Sequence, residues 1–147
     1  MTVLVWLTPQ TWVACVDTAR SLAPAGAPVT LLAVADTGPA GAAHGAFSGL
    51  LGRGGADPGQ RLAELAGQEA GDMLDAAAAR LGRPTDRVLR HGPAEREVTT
   101  AAQDATLLVV ARDGPGDGPR SLGKAVRFVV DHAPCAVLLI WPDGPGR

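Results

Sequence analysis

The sequence has no tyrosine, and aromatic residues make up only 3% of its 147 positions. Any core must therefore be built from Leu, Val and Ala within an apolar share of 46%. Lysine is almost absent: of 13 basic residues only Lys124 is a lysine. There is no basic run and the net charge is −2. Binding to a phosphate backbone draws on clustered Lys and Arg, so nucleic acid is not an expected partner. Cysteine is scarce as well. Cys15 and Cys135 cannot make a disulfide framework, and each sits in an apolar stretch where it reads as a small buried hydrophobe. The start, Met1-Thr2-Val3-Leu4, lacks the charged segment of a signal peptide. No apolar run approaches the ~20 residues of a membrane-spanning helix. The expectation is a cytoplasmic protein without membrane contact.

Chemistry-bearing constellations are missing too. His44, His91 and His132 are far apart and show no metal spacing. There is no G-x-S-x-G elbow and no pairing of nucleophile with base, so no catalytic residue and no metal ligand is assigned.

What is present is a regular alternation. Val3 to Leu7 is a short continuous apolar run, read as a fully buried strand. Thr8-Pro9 predicts a helix start, with Thr8 as N-cap and Pro9 at the first helical position. Trp12, Cys15, Val16, Ala19 and Leu22 then recur at helical spacing. Val29 to Ala35 is a second apolar strand. Residues 36–59, rich in Gly, Pro and Ala, read as a long loop with an apolar island from Phe47 to Leu51. Asp57-Pro58 is another cap-and-first-turn pair. A helix is predicted from Gln60 to Leu81, with Leu62, Leu65, Ala66, Met73 and Ala77 among its apolar positions. A short polar strand, Arg87 to Arg90, and the turn His91-Gly92-Pro93 lead to a helix from Ala94 to Gln103. Thr106 to Ala111 is a buried strand, Arg120 to Asp131 a helix, and Ala136 to Trp141 the last strand.

This order predicts an α/β fold: one open parallel five-stranded sheet with helices on both faces. The expected domain spans residues 1–142, with 143–147 as a tail. Right-handed crossovers put every strand's C-terminal end on one edge. Ligands of such sheets bind outside those ends, where the strand order reverses. The turns after the first and fourth strands, at Thr8 and at Ala111 to Lys124, should meet there.

The second of these turns is the best candidate for a ligand site. Glycines let backbone approach an anion, and free N–H groups at a helix start point at it. Gly114, Gly116, Gly118 and Gly123 supply the freedom, and Ser121 and Lys124 could supply donors. The segment is not a Walker loop, because Ala125 occupies the hydroxyl position, nor is it a G-x-G-x-x-G fingerprint. Asp113 and Asp117 oppose a polyphosphate, whereas Arg112, Arg120 and Lys124 offset them. A cation in a helix's first turn opposes the macrodipole by ~0.3–1 kcal/mol unless an anion is present, and Lys124 is such a cation. The other reading of the turn is a plain surface loop.

Several motifs resemble the universal stress protein family over nearly the whole chain. Leu122-Gly123 followed by His132-Ala133-Pro134-Cys135-Ala136-Val137-Leu138 is similar to that family's closing "LGS…HAPCPVLVV". His91-Gly92-Pro93-Ala94-Glu95 resembles its "G-x-P-A-E" segment, and Thr106 to Val110 its "DLIVVG" strand. The resemblance implies a flavodoxin-like sheet, a homodimer through the last strand, and in some members bound ATP. Against the nucleotide-binding pattern G-x2-G-x9-G-[ST], Gly114 and Gly123 match, with eight residues between them instead of nine. Ala111 stands at the first glycine, Lys124 at the Ser/Thr and Val126 at a second hydroxyl position. Val34 keeps the apolar residue whose backbone meets adenine. Thr8 stands where ATP-binding members carry an acid, and Trp6 and Leu7 where they carry small residues. Trp6 could stack on a base, worth ~1–3 kcal/mol in nucleic-acid systems, or fill the base pocket as core. The candidate cofactor-binding set is Trp6, Leu7, Thr8, Val34, Gly114, Gly123 and Lys124. His91, at a strand's C-terminal end, is a ligand contact or part of a turn.

Three functions are compatible with this pattern. The first is a small-ligand binding or signalling domain with a degenerate nucleotide site. The second is an ATP-binding member using a variant glycine-rich loop. The third is an interaction module that contacts partners through its last strand and the 36–59 loop.

Overall fold

A computed structural model describes residues 1–36 and 58–143. Five strands, β1 (Val3–Leu7), β2 (Val29–Ala35), β3 (Asp86–His91), β4 (Leu107–Ala111) and β5 (Ala136–Ile140), form one parallel sheet in the order β3-β2-β1-β4-β5. They alternate with α1 (Trp12–Leu22), α2 (Pro58–Leu81), α3 (Ala94–Ala101) and α4 (Lys124–His132). The expected α/β architecture, with helices on both faces, is what forms.

Strand composition explains position. Every residue of β1 is buried, as a central strand covered on two faces requires. Its alternation splits the interior in two. Val3, Val5 and Leu7 join Cys15, Val16, Leu74 and Ala77 beneath α1 and α2. Leu4 and Trp6 join Leu32, Val98, Val126 and Val129 beneath α3 and α4. Leu31, Leu32 and Leu108 are fully buried, each worth ~1.5–3 kcal/mol. The polar strand β3 is the half-exposed edge beside β2, and β5 is the edge beside β4. From β1 the chain builds outward to β3, then crosses back to β4 and β5. The order therefore reverses between β1 and β4, which pair through Val3↔Leu107 and Val5↔Val109.

Several boundaries differ from the sequence reading. Thr8 is not the N-cap of α1. Its carbonyl accepts the N–H groups of Thr11 and Trp12 at 3.2 and 3.0 Å, and its hydroxyl lies 2.5 Å from that of Thr11. One separate turn is completed before the helix, and Thr11 takes the cap position. α2 begins at Pro58, as the Asp57-Pro58 pair suggested, so Gly59 is helical rather than part of the loop. On α2, Leu62 and Leu65 are exposed, while Ala70, Leu74, Ala77, Ala78 and Leu81 carry the core contact. α4 starts at Lys124 instead of Arg120, because Gly118–Ser121 tightens into a 3-10 turn. Residues 37–57, with the Phe47–Leu51 island, and the last four of the tail lie outside the described residues.

Cys15 is fully buried, and burial pushes its thiol up to about 12. Cys135 is only half-buried, with a thiol raised by the same desolvation. Among the described residues no helix is long and apolar enough to cross a membrane.

Candidate functional site

The C-terminal edge of the sheet carries two adjoining clefts, divided by the turn from Thr8 to Thr11. The first lies over the ends of β1 and β2 and encloses 440 Å³, within the usual range for small-ligand sites. Trp6, Leu7, Thr8 and Val34 all line it, so four of the seven candidate residues come together. They do so because β1 and β2 run parallel in register, Trp6 opposite Leu32 and Leu7 opposite Ala33. The opposite wall is α2. Ala66, Glu69, Ala70 and Met73 recur at the three- and four-residue spacing that places side chains on one helical face. Trp6 is only 4% exposed, so most of its ring belongs to the core under α3 and α4. Trp12 and Asp36 also line it, and sequence reasoning did not single them out for the site. Nothing in a linear pattern signals that α2's Glu69 and Met73 face the end of β2; that pairing is made by the crossover.

The glycine-rich turn is bonded chiefly to itself. The Gly114 N–H donates to the Ser121 carbonyl at 2.9 Å. A Cβ at Gly114 would stand 1.9 Å from the Arg120 carbonyl oxygen, so only glycine fits this backbone approach. Ser121 is 0% exposed. Its hydroxyl donates to the Gly118 carbonyl at 2.6 Å and accepts from Arg112, which removes it as a donor for a ligand. Arg112 also stacks 4.4 Å above the Trp141 ring, and it lines the second cleft. The Arg127 guanidinium donates to the Pro119 carbonyl at 2.6 Å. At the start of α4 the Asp113 carboxylate accepts the Gly123 N–H at 2.8 Å. That N–H is one of the free donors a helix offers to an anion. A side chain of this protein already occupies it.

The second cleft, of 500 Å³, lies outside this turn. Gln10 and Thr11 line one side, and Asp113, Gly114, Trp141 and Asp143 are among the residues of the other. Of the remaining candidates, Gly114 lines this cleft, whereas Gly123 and Lys124 line neither. Gly123 is tied to the site through Asp113. Lys124 is exposed at the first position of α4 and makes no ion pair among the described residues. Val126, at the position of a family hydroxyl, is 1% exposed in the core beneath α3 and α4. His91 is exposed at the end of β3 and lines neither cleft. His132 closes α4, its Nδ1 2.8 Å from the Phe128 carbonyl and its ring stacked on Phe128.

Comparison with known proteins agrees with this fold. The family model described as "Universal stress protein family" matches residues 2–140. No curated protein matches the sequence. Among solved structures, a universal stress protein in complex with cAMP is 20% identical, with a TM-score of 0.59 and 97% of each chain covered. A universal stress protein from Archaeoglobus fulgidus is 18% identical at a TM-score of 0.61, covering 95% of this chain and 97% of its own. A family protein from Arabidopsis thaliana with AMP bound is 16% identical at a TM-score of 0.59, covering 96% and 91%. At these identities the likeness concerns the fold.

Proposed function

The chain belongs to the universal stress protein family, and from that premise we propose that it is a small-ligand binding or signalling domain whose nucleotide site is degenerate. One observation carries this reading: the Asp113 carboxylate sits on the Gly123 N–H at 2.8 Å. A phosphate using the same donor must displace a carboxylate and then sit beside its negative charge. The burial of Ser121, whose hydroxyl is already bonded to Gly118 and Arg112, removes a further group that could have held a phosphate. Structures of relatives in complex with cAMP or with AMP bound make the nucleotide the natural reference ligand. The test is calorimetric titration with ATP together with a thermal melt at millimolar ATP. A ligand at 100 times its Kd stabilises by about 2.7 kcal/mol. The unaltered protein should show little or no such rise, and Asp113→Ala should bind ATP at least several-fold more tightly. Micromolar ATP binding by the unaltered protein would falsify this reading.

That outcome would favour an ATP-binding domain with a variant loop. The exposed Lys124 and the open cleft at Val34 support this second reading, and Lys124→Ala should then weaken ATP binding. On either reading the protein is proposed to be a homodimer through β5. This strand pairs only with β4 among the described residues, and Val137 to Ile140 are only half-buried. An unpaired apolar edge invites a partner strand. Leu138→Asp should convert the dimer to monomer in light scattering, and an unchanged dimer would count against this edge. The same surface would serve an interaction module.

A further inference from the structure

We infer that the 440 Å³ cleft over the ends of β1 and β2 takes an uncharged ligand with an apolar body of one or two fused rings. The inference rests on the reading above that this edge is a small-ligand site whose phosphate loop is closed. The cleft lies where both halves of the core reach the sheet's C-terminal edge. Trp12 and Met73 pack against the core beneath α1 and α2, and Val34 and Ala94 against the core beneath α3 and α4. All four are only half-buried, so each keeps apolar surface that a ligand can cover. The volume falls in the range of small-molecule sites, and such sites are mostly apolar with few polar contacts.

The polar groups at these strand ends are already bonded within the chain. The Thr8 carbonyl accepts the N–H groups of Thr11 and Trp12, and the Thr8 hydroxyl is bonded to that of Thr11. The Ala35 carbonyl accepts the Gly92 N–H at 3.1 Å. Asp36 is likewise engaged. What remains for a ligand is the apolar wall, and covering it is favourable without any directional bond.

Charge of either sign gains little here. No lysine, arginine or histidine is among the described residues that form the cleft. A carboxylate or phosphate would lose hydration without meeting a counter-ion. Glu69 is exposed to solvent, so an ammonium group beside it would gain only the small energy of a solvated ion pair. Among the described residues no three His, Cys, Asp or Glu side chains converge closely enough to hold a metal ion. An uncharged molecule gives up no ionic hydration and still gains the walls.

A series of one shape tests this. Phenethyl alcohol, phenethylamine and hydrocinnamate share a phenyl body and differ in charge at neutral pH, and naphthaleneethanol adds a second ring to the alcohol. Binding is read by calorimetry at two temperatures, with ATP as a separate arm. The phenyl alcohol should bind more tightly than the amine and at least about fivefold more tightly than the carboxylate. The second ring should tighten binding about tenfold. Both alcohols should bind with a negative heat-capacity change and with little dependence on salt. Met73→Gln, of similar length but polar, should weaken naphthaleneethanol several-fold. Ala66→Leu, which fills part of the cleft, should do the same in a second variant. Binding of the amine or the carboxylate as tight as that of the alcohol, no gain from the second ring, or no binding of either alcohol overturns the inference. Micromolar ATP binding would instead overturn the reading of the degenerate phosphate loop, so the two failures are distinguishable.

Discussion

The two halves of the sheet's C-terminal edge use the same architecture to opposite ends. Over β1 and β2 the strand ends and α2 leave a cleft whose walls touch mainly through apolar side chains. Over β4 the connecting turn folds back on itself, with Gly114, Ser121, Arg112 and Asp113 bonding to other members of the turn or to Trp141. A glycine-rich turn thus need not present donors outward. It can spend them internally when a serine and an aspartate stand at the right distance along the chain.

This comparison can be attacked by substitution. The largest effect is expected at Gly114→Ala, whose added methyl would overlap the Arg120 carbonyl. The loss should be about 1–3 kcal/mol or more, the scale of overpacking, visible as a melting point lower by several degrees. A variant as stable as the parent would mean that the turn is looser than described. Asp113→Ala should cost about 1 kcal/mol, the scale of a lost helix-start hydrogen bond, measured by chemical denaturation. Across the edge, Ala66 lines the cleft, and Ala66→Leu should change stability by less than about 0.5 kcal/mol, while occupying part of the cleft and weakening any ligand there. A large destabilisation would show that the cleft is not free.

The smallest effect lies behind the cleft wall, where Arg80 of α2 grips Asp17 of α1 with two hydrogen bonds of 2.8 and 2.9 Å. The guanidinium holds the Asp17 carboxyl below its usual range. A carboxyl depressed on folding adds stability that is present above its unfolded pKa of ~3.9 and is lost as pH falls through the lower folded value. Asp17→Asn should therefore be slightly less stable than the parent near neutrality, with the gap closing below about pH 4. A gap that persists at pH 2 would assign the effect to packing instead of charge.

Much of the fold was legible because its signals are local. Continuous runs such as Val3–Leu7 and Leu107–Ala111 are what strands buried on both faces need, and the Pro58 helix start follows from backbone chemistry at a single position. The boundaries that moved did so through contacts between neighbours. Thr8 gave its carbonyl to Thr11 and Trp12 before α1 could begin, and Gly118–Ser121 closed around the Ser121 hydroxyl. Of the candidate site, the grouping of Trp6, Leu7, Thr8 and Val34 was readable from motif positions. The contributions of Glu69 and Met73 were not, since they come from α2, which the chain crossover lays beside the strand ends.

The sequence by itself determined the alternation of elements, the absence of a metal spacing or nucleophile elbow, and the family, because periodicity and motif residues act over a few positions. Only the tertiary structure decided that Trp6 lies mostly in the core and that Asp113 takes the donor at Gly123. Those outcomes depend on distances between atoms ten or more residues apart, which chain spacing alone does not set.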